Sequence, residues 1–312
     1  MTGAAAPSQQ RADGRAPLPW PEIRRRAVEL VRARPPLLVV SDFDGTISPI
    51  NPDPLGAEIV PLARRAIRRL ARLAEERPDR LSVVVLSGRA SLDVAGRVRV
   101  GGVRYLGNHG LETGSLARRA RAEALAVSID PALLEFTEPT EVLARRVAAR
   151  LGEPDWLFVE LKGPSVAFHF RQAPDTDAAR EAVLAAIDAT EREAGGTGMI
   201  RFEGRRIVEL RPEGAGGKGM AMERLIARDH PGAVLAMGDD VSDAEAFRVV
   251  VAARRRGELD GLVLGVTGAN ETPPEVVAAA DAILASPRDA GRVLAAVASA
   301  VAGGAGGADG QR

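Results

Sequence analysis

Short apolar runs alternate with amphipathic helical segments along this chain of 312 residues, and that alternation limits the possible fold more than any other feature. Residues 37–40 form a continuous apolar run after two prolines, which is typical of a strand buried in a parallel sheet. Residues 61–76 carry apolar side chains at helical spacing, which predicts an amphipathic helix. Further strands are predicted at 81–86, 103–106, 233–237 and 262–266, and further helices at 219–228, 242–251, 274–280 and 288–301. Strands that alternate with helices predict an α/β fold built on a doubly wound parallel sheet.

The middle of the chain has a different pattern. Its predicted elements come in the order helix, strand, strand, helix, strand, strand, at 140–151, 157–161, 166–170, 177–193, 199–202 and 206–210. Paired strands joined by tight turns indicate an antiparallel sheet with helices on one face. We therefore expect an inserted α+β cap domain of αββαββ type at 114–212, within a core formed by 19–113 and 213–302. The Ala- and Gly-rich ends, 1–18 and 303–312, are predicted to be disordered tails.

Composition excludes several classes of protein. Lys plus Arg and Asp plus Glu each number 42, so the formal net charge is zero and nothing indicates a nucleic-acid partner. The chain has no cysteine, which excludes disulfides, thiolate metal ligands and a cysteine nucleophile. No apolar run approaches the roughly 18 residues of a membrane span, and the N-terminus lacks the apolar core of a signal peptide. The expectation is a cytoplasmic protein with no membrane partner, and a monomer is favoured.

Acidic side chains follow two of the predicted strands at the points where those strands end. They are Asp42 and Asp44 after the run at 37–40, and Asp239, Asp240 and Asp243 after the run at 233–237. The carboxyl ends of parallel strands meet at one edge of a sheet, where ligands bind in such folds. Oxygen ligands that converge there, without thiolates or paired histidines, suit a hard cation such as Mg²⁺. We therefore predict a magnesium site at this edge, with turn chemistry as the alternative for an isolated pair of aspartates.

Two further segments predict binding of a phosphoryl group. Ser87-Gly88-Arg89 ends the strand at 81–86, and its hydroxyl and backbone N–H groups could hold a phosphate, although an ordinary strand-to-helix turn would look similar. Lysine occurs only at Lys162 and Lys218, which leaves 40 arginines among the 42 basic residues. Lys218, between glycines ahead of a helix, could reach a phosphate as a compact charge that a planar guanidinium cannot replace. The chain therefore has the groups that phosphoryl transfer needs, which are a nucleophile, an acid, a hydroxyl, an ammonium and metal ligands.

Taken together, these motifs resemble a known family. The segments DFDGT at 42–46, SGR at 87–89, GGKG at 216–219 and GDDVSD at 238–243 are similar to the four ordered motifs of haloacid dehalogenase superfamily phosphatases. With LGNHGLE, HFR and VELRP added, the set resembles the trehalose-6-phosphate phosphatases more narrowly, over about 37–247. The resemblance implies a Rossmann-like core and Mg²⁺-dependent hydrolysis of a small-molecule sugar phosphate, trehalose 6-phosphate, as the last step of trehalose biosynthesis.

The resemblance also implies a role for each matched residue. Asp42 would be the nucleophile and a Mg²⁺ ligand, and Asp44 the general acid and then the base, with its main-chain carbonyl on the metal. Ser87 and Lys218 would hold the transferring phosphoryl group. Asp239 would ligate the metal, and Asp240 and Asp243 would support the metal or its waters. The residues implied to contact the sugar are Arg89, Asn108, His109, Glu112, Lys162, His169, Arg171, Glu209 and Arg211.

The chain departs from the family pattern at three positions. Phe43, Ser242 and Ala244 stand where Tyr, Thr and an acidic residue are expected. The first two changes are mild, and the third bears on the metal support or on the start of a helix. For three of the implied sugar contacts the residues leave a structural alternative, which is a plain turn for Asn108 and His109 and a half-buried sheet position for His169.

Two other functions stay open. A phosphatase of a different sugar phosphate, such as sucrose 6-phosphate or mannosyl-3-phosphoglycerate, would use the same chemistry. A phosphorylatable receiver-type signalling domain is the non-enzyme alternative, because it also combines acidic residues, a hydroxyl and a lysine on a doubly wound sheet. The second carboxylate, Asp44, and the cap of about 100 residues argue against that alternative.

Overall fold

The structure, a computed structural model, describes residues 18–51, 53–204, 206–267 and 272–303. These residues form two compact units. One contains the described residues up to Ser128 and those from Gly217 onward, and the other is Ile129–Gly216. Apart from Leu18 and Gly303, the predicted tails lie outside the described residues. Within those ranges, no helix has both the length and the apolar character needed to cross a membrane.

The described residues contain twelve strands and ten α-helices. The strands are β1 Leu37–Ser41, β2 Leu81–Leu86, β3 Val103–Gly107, β4 Glu112–Leu116, β5 Ala126–Ile129, β6 Phe158–Lys162, β7 Ser165–His169, β8 Met199–Gly204, β9 Ile207–Pro212, β10 Ala233–Gly238, β11 Asp260–Val266 and β12 Ala282–Leu284. The helices are α1 Trp20–Glu29, α2 Pro61–Glu76, α3 Ser91–Val98, α4 Pro131–Leu134, α5 Thr137–Arg150, α6 Thr176–Ala194, α7 Lys218–Asp229, α8 Val241–Arg255, α9 Pro274–Ala279 and α10 Pro287–Gly303.

Eight strands form one large sheet in the order β12-β11-β10-β1-β2-β3-β4-β5. Every neighbouring pair from β12 to β3 is parallel, and β4 runs antiparallel to β3. Helices α1, α2, α3 and α10 contribute to the apolar cluster on one face, and α7, α8 and α9 to the cluster on the other. The predicted α/β fold with a doubly wound sheet is therefore confirmed, with the addition that the sheet is mixed because β4 turns back beside β3.

The register of β1 decides which loops meet. Ser41 pairs with Met237 of β10 on one side and with Val85 of β2 on the other. Asp42 and the residues that follow Met237 and Val85 therefore leave the sheet at the same edge, as expected for the carboxyl ends of parallel strands.

The second unit is built on an antiparallel sheet in the order β6-β7-β9-β8. Helices α5 and α6 pack on one face of this sheet through an apolar cluster that includes Val147, Ile187 and Phe168. Because side chains alternate along a strand, Lys162 and Glu209 lie on the opposite face. This order of helices and strands agrees with the predicted αββαββ pattern.

The predicted cap boundary, residue 114, precedes the start of the second unit at Ile129. The reason is that β4 and β5 add to the large sheet. β4 has the sequence ETGSL, and three of the four side chains of β5 are exposed, so neither segment shows the apolar pattern of a buried strand. The sequence also failed to predict α1, α3 and α4 and the three-residue strand β12.

Candidate active site

Asp42 directly follows β1 and is buried. Its Oδ1 accepts a hydrogen bond of 2.8 Å from Nζ of Lys218, the first residue of α7. Lys218 is only 1% exposed, and its Nζ also donates to Oδ1 of Asp243 at 2.8 Å. A buried ammonium is tolerated only with such compensation. Lys218 therefore links the carboxylates that follow β1 and β10.

The loops after β1 and β10 are packed against each other. Asp243, in the first turn of α8, accepts the backbone N–H groups of Asp239 and Asp240 at 3.1 and 3.2 Å. Asp240 caps the same helix by accepting the N–H of Asp243 at 2.9 Å. Asp239 accepts a bond of 3.3 Å from the buried Thr46 hydroxyl, and a Cβ on Gly45 would lie 2.0 Å from Asp239 Oδ2. Only a glycine allows this close approach.

Three of these carboxylates form a candidate metal centre. Asp42, Asp239 and Asp243 each offer an oxygen, and the three oxygens lie within 4.8 Å of one another. Burial raises the pKa of Asp42 to about 7 and that of Asp239 to about 8; neighbouring carboxylates add to both shifts, and Lys218 opposes them. A divalent cation would favour the ionised forms, and hard oxygen donors are the ligands that such a cation takes. The donor set therefore fits a divalent cation.

Asp44, two residues beyond Asp42, binds Arg89. Arg89 Nε donates to Asp44 Oδ2 at 2.6 Å and Nη2 donates to Oδ1 at 2.9 Å, which is a bidentate pair. Arg89 Nη1 reaches Asp93 at 3.0 Å. The predicted contact of the Asp44 main-chain carbonyl with the metal stays a prediction, as does metal support by Asp240, whose carboxylate caps α8.

Ser87 lies where the loops after β2 and β3 meet. The hydroxyl of Ser87 is buried and accepts the N–H of Arg89 at 3.1 Å, and its carbonyl accepts the N–H of His109 at 2.9 Å. The ring of His109 lies against Gly88, since a Cβ there would be 2.8 Å from His109 Nε2. The predicted phosphate-binding hydroxyl and one predicted sugar contact are therefore adjacent.

Glu112 is buried, and both of its carboxylate oxygens accept hydrogen bonds from the protein. Oε2 accepts the N–H of Ser91, the first residue of α3, and Oε1 accepts Asn108 Nδ2, both at 2.6 Å. Asn108 has a φ of +48°, and its buried Oδ1 has no hydrogen-bond partner among the described residues. Glu112 therefore holds α3 and a strained loop in place, and a direct contact from it to a sugar stays a prediction.

The face of the small sheet opposite α5 and α6 carries five charged or ionisable residues in contact with one another. Lys162 Nζ lies 3.6 Å from Glu160 and 4.0 Å from Glu209, and Arg211 donates to Glu209 at 2.7 Å. His169 Nε2 is 2.9 Å from Glu160. Burial raises the pKa of Glu160, but the bond to His169 and the charge of Lys162 outweigh it and lower the pKa overall. Such a set can bind hydroxyl groups as donor or acceptor.

The sequence-based prediction missed three residues of these networks. Glu160 alternates with Lys162 along β6 and could have been found from that spacing. Asp93 lies four residues before Arg97, the spacing of an ion pair on a helix. Thr46 has no comparable signal. Arg171, a predicted sugar contact, is exposed in the turn after β7.

Comparison with known proteins identifies the family of this fold and site. A family model described as trehalose-phosphatase matches residues 40–270, which include both acidic clusters and both lysines. The chain belongs to the trehalose-phosphatase family. The resemblance found in the motifs is thereby confirmed.

Members of the trehalose-phosphatase family are found among both sequence and structure relatives. The trehalose-phosphate phosphatase of Mycobacterium avium (strain 104) is 35% identical over 230 residues, which cover 72% of this chain and 53% of that protein. The chain spans about half the length of such mycobacterial relatives. The solved C-terminal domain of the C. albicans trehalose-6-phosphate phosphatase matches with a TM-score of 0.67 at 18% identity, covering 91% of this chain and 97% of that one. A haloacid dehalogenase-like hydrolase from Bacteroides thetaiotaomicron matches with a TM-score of 0.50 at 19% identity, over 84% and 98% of the two chains.

Proposed function

We propose that the chain is a Mg²⁺-dependent phosphatase that hydrolyses trehalose 6-phosphate to trehalose and phosphate. The observation that carries the proposal is the position of Asp42, a buried carboxylate at a strand end, 2.8 Å from the Lys218 ammonium and close to two further carboxylates. Positive charge around a carboxylate removes the repulsion that would keep a phosphate away, so the carboxylate can attack phosphorus. Membership of the trehalose-phosphatase family supports the substrate.

The reaction takes two steps on the side chains of this chain. In the first, an oxygen of Asp42 attacks phosphorus, the bond from phosphorus to the sugar oxygen breaks, and Asp44 gives its proton to that oxygen. In the second, Asp44 takes a proton from a water whose oxygen attacks phosphorus, and the bond to Asp42 breaks. Inorganic phosphate leaves, and Asp44 is again protonated for the next cycle.

Asp42, Asp239 and Asp243 are the residues that would hold Mg²⁺. When bound, Mg²⁺ supplies positive charge that draws the anionic phosphate to the anionic nucleophile. Lys218 supplies a further positive charge at a fixed position, because its two bonds of 2.8 Å hold the ammonium between Asp42 and Asp243. Ser87, buried at the end of β2, is proposed to bind a phosphoryl oxygen through its hydroxyl.

The sugar is proposed to bind through the charged face of the small sheet. Hydroxyl groups are recognised by carboxylates, amides and guanidinium groups with fixed orientations. Glu209 has such an orientation, because Arg211 contacts it at 2.7 Å and Lys162 at 4.0 Å. Lys162, Glu209 and Arg211 are almost completely buried, which is unusual for charged side chains. Their burial supports a role in recognition that ordinary surface charges do not have.

Phosphate release from trehalose 6-phosphate, sucrose 6-phosphate and mannosyl-3-phosphoglycerate tests the proposal. We expect release to require Mg²⁺, to stop when a chelator is added, and to return with excess Mg²⁺. Trehalose 6-phosphate should have the highest kcat/KM. A preference of about a hundredfold for another sugar phosphate would overturn the trehalose assignment. A long-lived phosphorylated Asp42 without turnover would instead support the receiver-type alternative.

Replacing Gly45 by alanine should damage both the fold and the activity. Gly45 has a φ of +74°, and the added Cβ would lie 2.0 Å from Asp239 Oδ2. Either the loop that carries Asp42 and Asp44 or the carboxylate of Asp239 must then move. We expect a loss of about 1–3 kcal/mol in the free energy of unfolding and of roughly 10²-fold in kcat. Urea unfolding and phosphate release measure the two effects.

Gly257→Ala is the matched control for this prediction. Gly257 has a φ of +73°, but no atom lies within 4 Å of the position of its Cβ. The control variant carries the same backbone strain without the collision, so it should lose stability by about 1 kcal/mol and keep its kcat. If both variants keep full activity, the close packing of the two loops is not needed for catalysis.

A further inference from the structure

A row of three charged residues extends from the site along α3. Asp93 and Arg97 are four residues apart and lie on one side of α3, and Arg89 lies two residues before the helix begins. Arg89 Nη1 and Arg97 Nε donate to the carboxylate of Asp93 at 3.0 and 2.9 Å. The two arginine side chains are only 16% and 13% exposed, so water screens these pairs less than it screens a surface ion pair. The two arginines are therefore shielded and held from one side by Asp93, whose own side chain is 41% exposed.

Both ends of this row are attached to the segment that follows β1. At one end, Arg89 donates to both oxygens of Asp44, at 2.6 and 2.9 Å. At the other end, Arg97 Nη1 donates to the backbone carbonyls of Leu55 and Ala57, both at 3.0 Å. The row therefore connects the carboxylate of Asp44 to the backbone some ten residues further along the same loop.

We propose that Asp93 and Arg97 are positioning residues that hold Arg89, and through it the carboxylate of Asp44, in the orientation for proton transfer. This proposal rests on the proposed function, in which Asp44 is first the acid and then the base. To give a proton to the leaving oxygen, Asp44 must release at least one of its two bonds to Arg89. Arg89 stays in place during that step because Asp93 holds its third donor.

The alternative is that the row only stabilises α3. An acidic residue in the first turn of a helix and ion pairs at four-residue spacing stabilise helices by a few tenths of a kcal/mol each, without any effect on chemistry. A positioning role would instead affect the rate of proton transfer by Asp44. An acid or base that is misplaced by about 1 Å can lose roughly 10²-fold in rate.

Asp93→Asn distinguishes the two roles when it is tested with two leaving groups. The leaving group of trehalose 6-phosphate is a sugar alkoxide, which needs a proton. The leaving group of p-nitrophenyl phosphate is a stable phenolate, which does not. For trehalose 6-phosphate we expect kcat to fall by about 10- to 100-fold and KM to stay within about threefold of wild type. The pre-steady-state burst of p-nitrophenolate, which reports attack by Asp42, should keep its wild-type rate, and the turnover after it should slow because the second step needs Asp44 as base. Arg97→Lys should give a smaller loss in the same direction.

Asp289→Asn is the matched control, because Asp289 is the first-turn acid of α10 and pairs with Arg292 at 3.0 Å. The Asp289→Asn variant should change neither the burst nor the turnover. Thermal unfolding checks that all variants are folded. A p-nitrophenolate burst that slows as much as trehalose 6-phosphate turnover, or no loss with trehalose 6-phosphate, overturns the positioning role, while an active wild type leaves the proposed function standing. A wild-type chain that releases phosphate from no sugar phosphate refutes the proposed function, and this inference with it.

Discussion

Asp42→Asn should lower phosphate release from trehalose 6-phosphate by roughly 10⁴-fold. The amide of asparagine has nearly the same shape as the carboxylate, but it cannot attack phosphorus to form the covalent intermediate. Lys218 keeps its second bond of 2.8 Å, to Asp243, so the ammonium is not left without a partner. The loss should therefore appear in kcat, at every concentration of substrate and of Mg²⁺.

The stability of this variant should show that the loss is chemical. Because burial raises the pKa of Asp42 to about 7, its ionised form is unfavourable in the folded protein, and a neutral amide avoids that cost. In metal-free buffer at pH 7 we expect a free energy of unfolding no lower than that of the wild type. Circular dichroism during urea unfolding measures it, and Asp79→Asn, at an exposed aspartate, is the control that keeps full activity. Near-normal turnover by Asp42→Asn would remove the basis for an aspartyl-phosphate.

The position of Asp42 was predictable because the strands around it are continuous apolar runs. β2 and α2 have the predicted bounds, Leu81–Leu86 and Pro61–Glu76, and β1 extends the predicted run by one residue. Once β1, β2 and β10 are parallel neighbours, their carboxyl ends meet without any further information about side chains. For this reason the two acidic clusters and Ser87 could be placed at one edge of the sheet from the sequence.

The partners of the polar side chains were not predictable in the same way. The bonds that Glu112 accepts from the backbone of Ser91 and from Asn108 had no signal in the sequence. The pair of Arg89 and Asp44 joins residues 45 positions apart. Such contacts depend on side-chain orientation and on which buried donors remain to be satisfied, and neither leaves a periodic pattern in the sequence.

The scarcity of lysine leads to the second prediction with a large effect. Lys218→Arg should lose both stability and activity, although it keeps the positive charge. Burial lowers the pKa of Lys218, but the carboxylates of Asp240, Asp243 and Asp42 outweigh it and raise the pKa well above its ordinary value. The ammonium is a single nitrogen held between two oxygens in a position that is 1% exposed. A planar guanidinium is larger and cannot place one nitrogen there without displacing a carboxylate. We expect a loss of about 1–3 kcal/mol in the free energy of unfolding and of roughly 10²- to 10³-fold in kcat.

Two further variants separate the size of this side chain from its charge. Lys218→Met has a similar length but leaves Asp42 and Asp243 buried without their cation, so it should cost about 3–5 kcal/mol, more than Lys218→Arg. Arg228→Lys, at the exposed end of the same helix, exchanges the same two residue types and should change neither stability nor kcat. Urea unfolding and phosphate release report both quantities for all three. If Lys218→Arg behaved like the wild type, any positive charge would suffice at this position, and the survival of lysine among 40 arginines would need no functional reason.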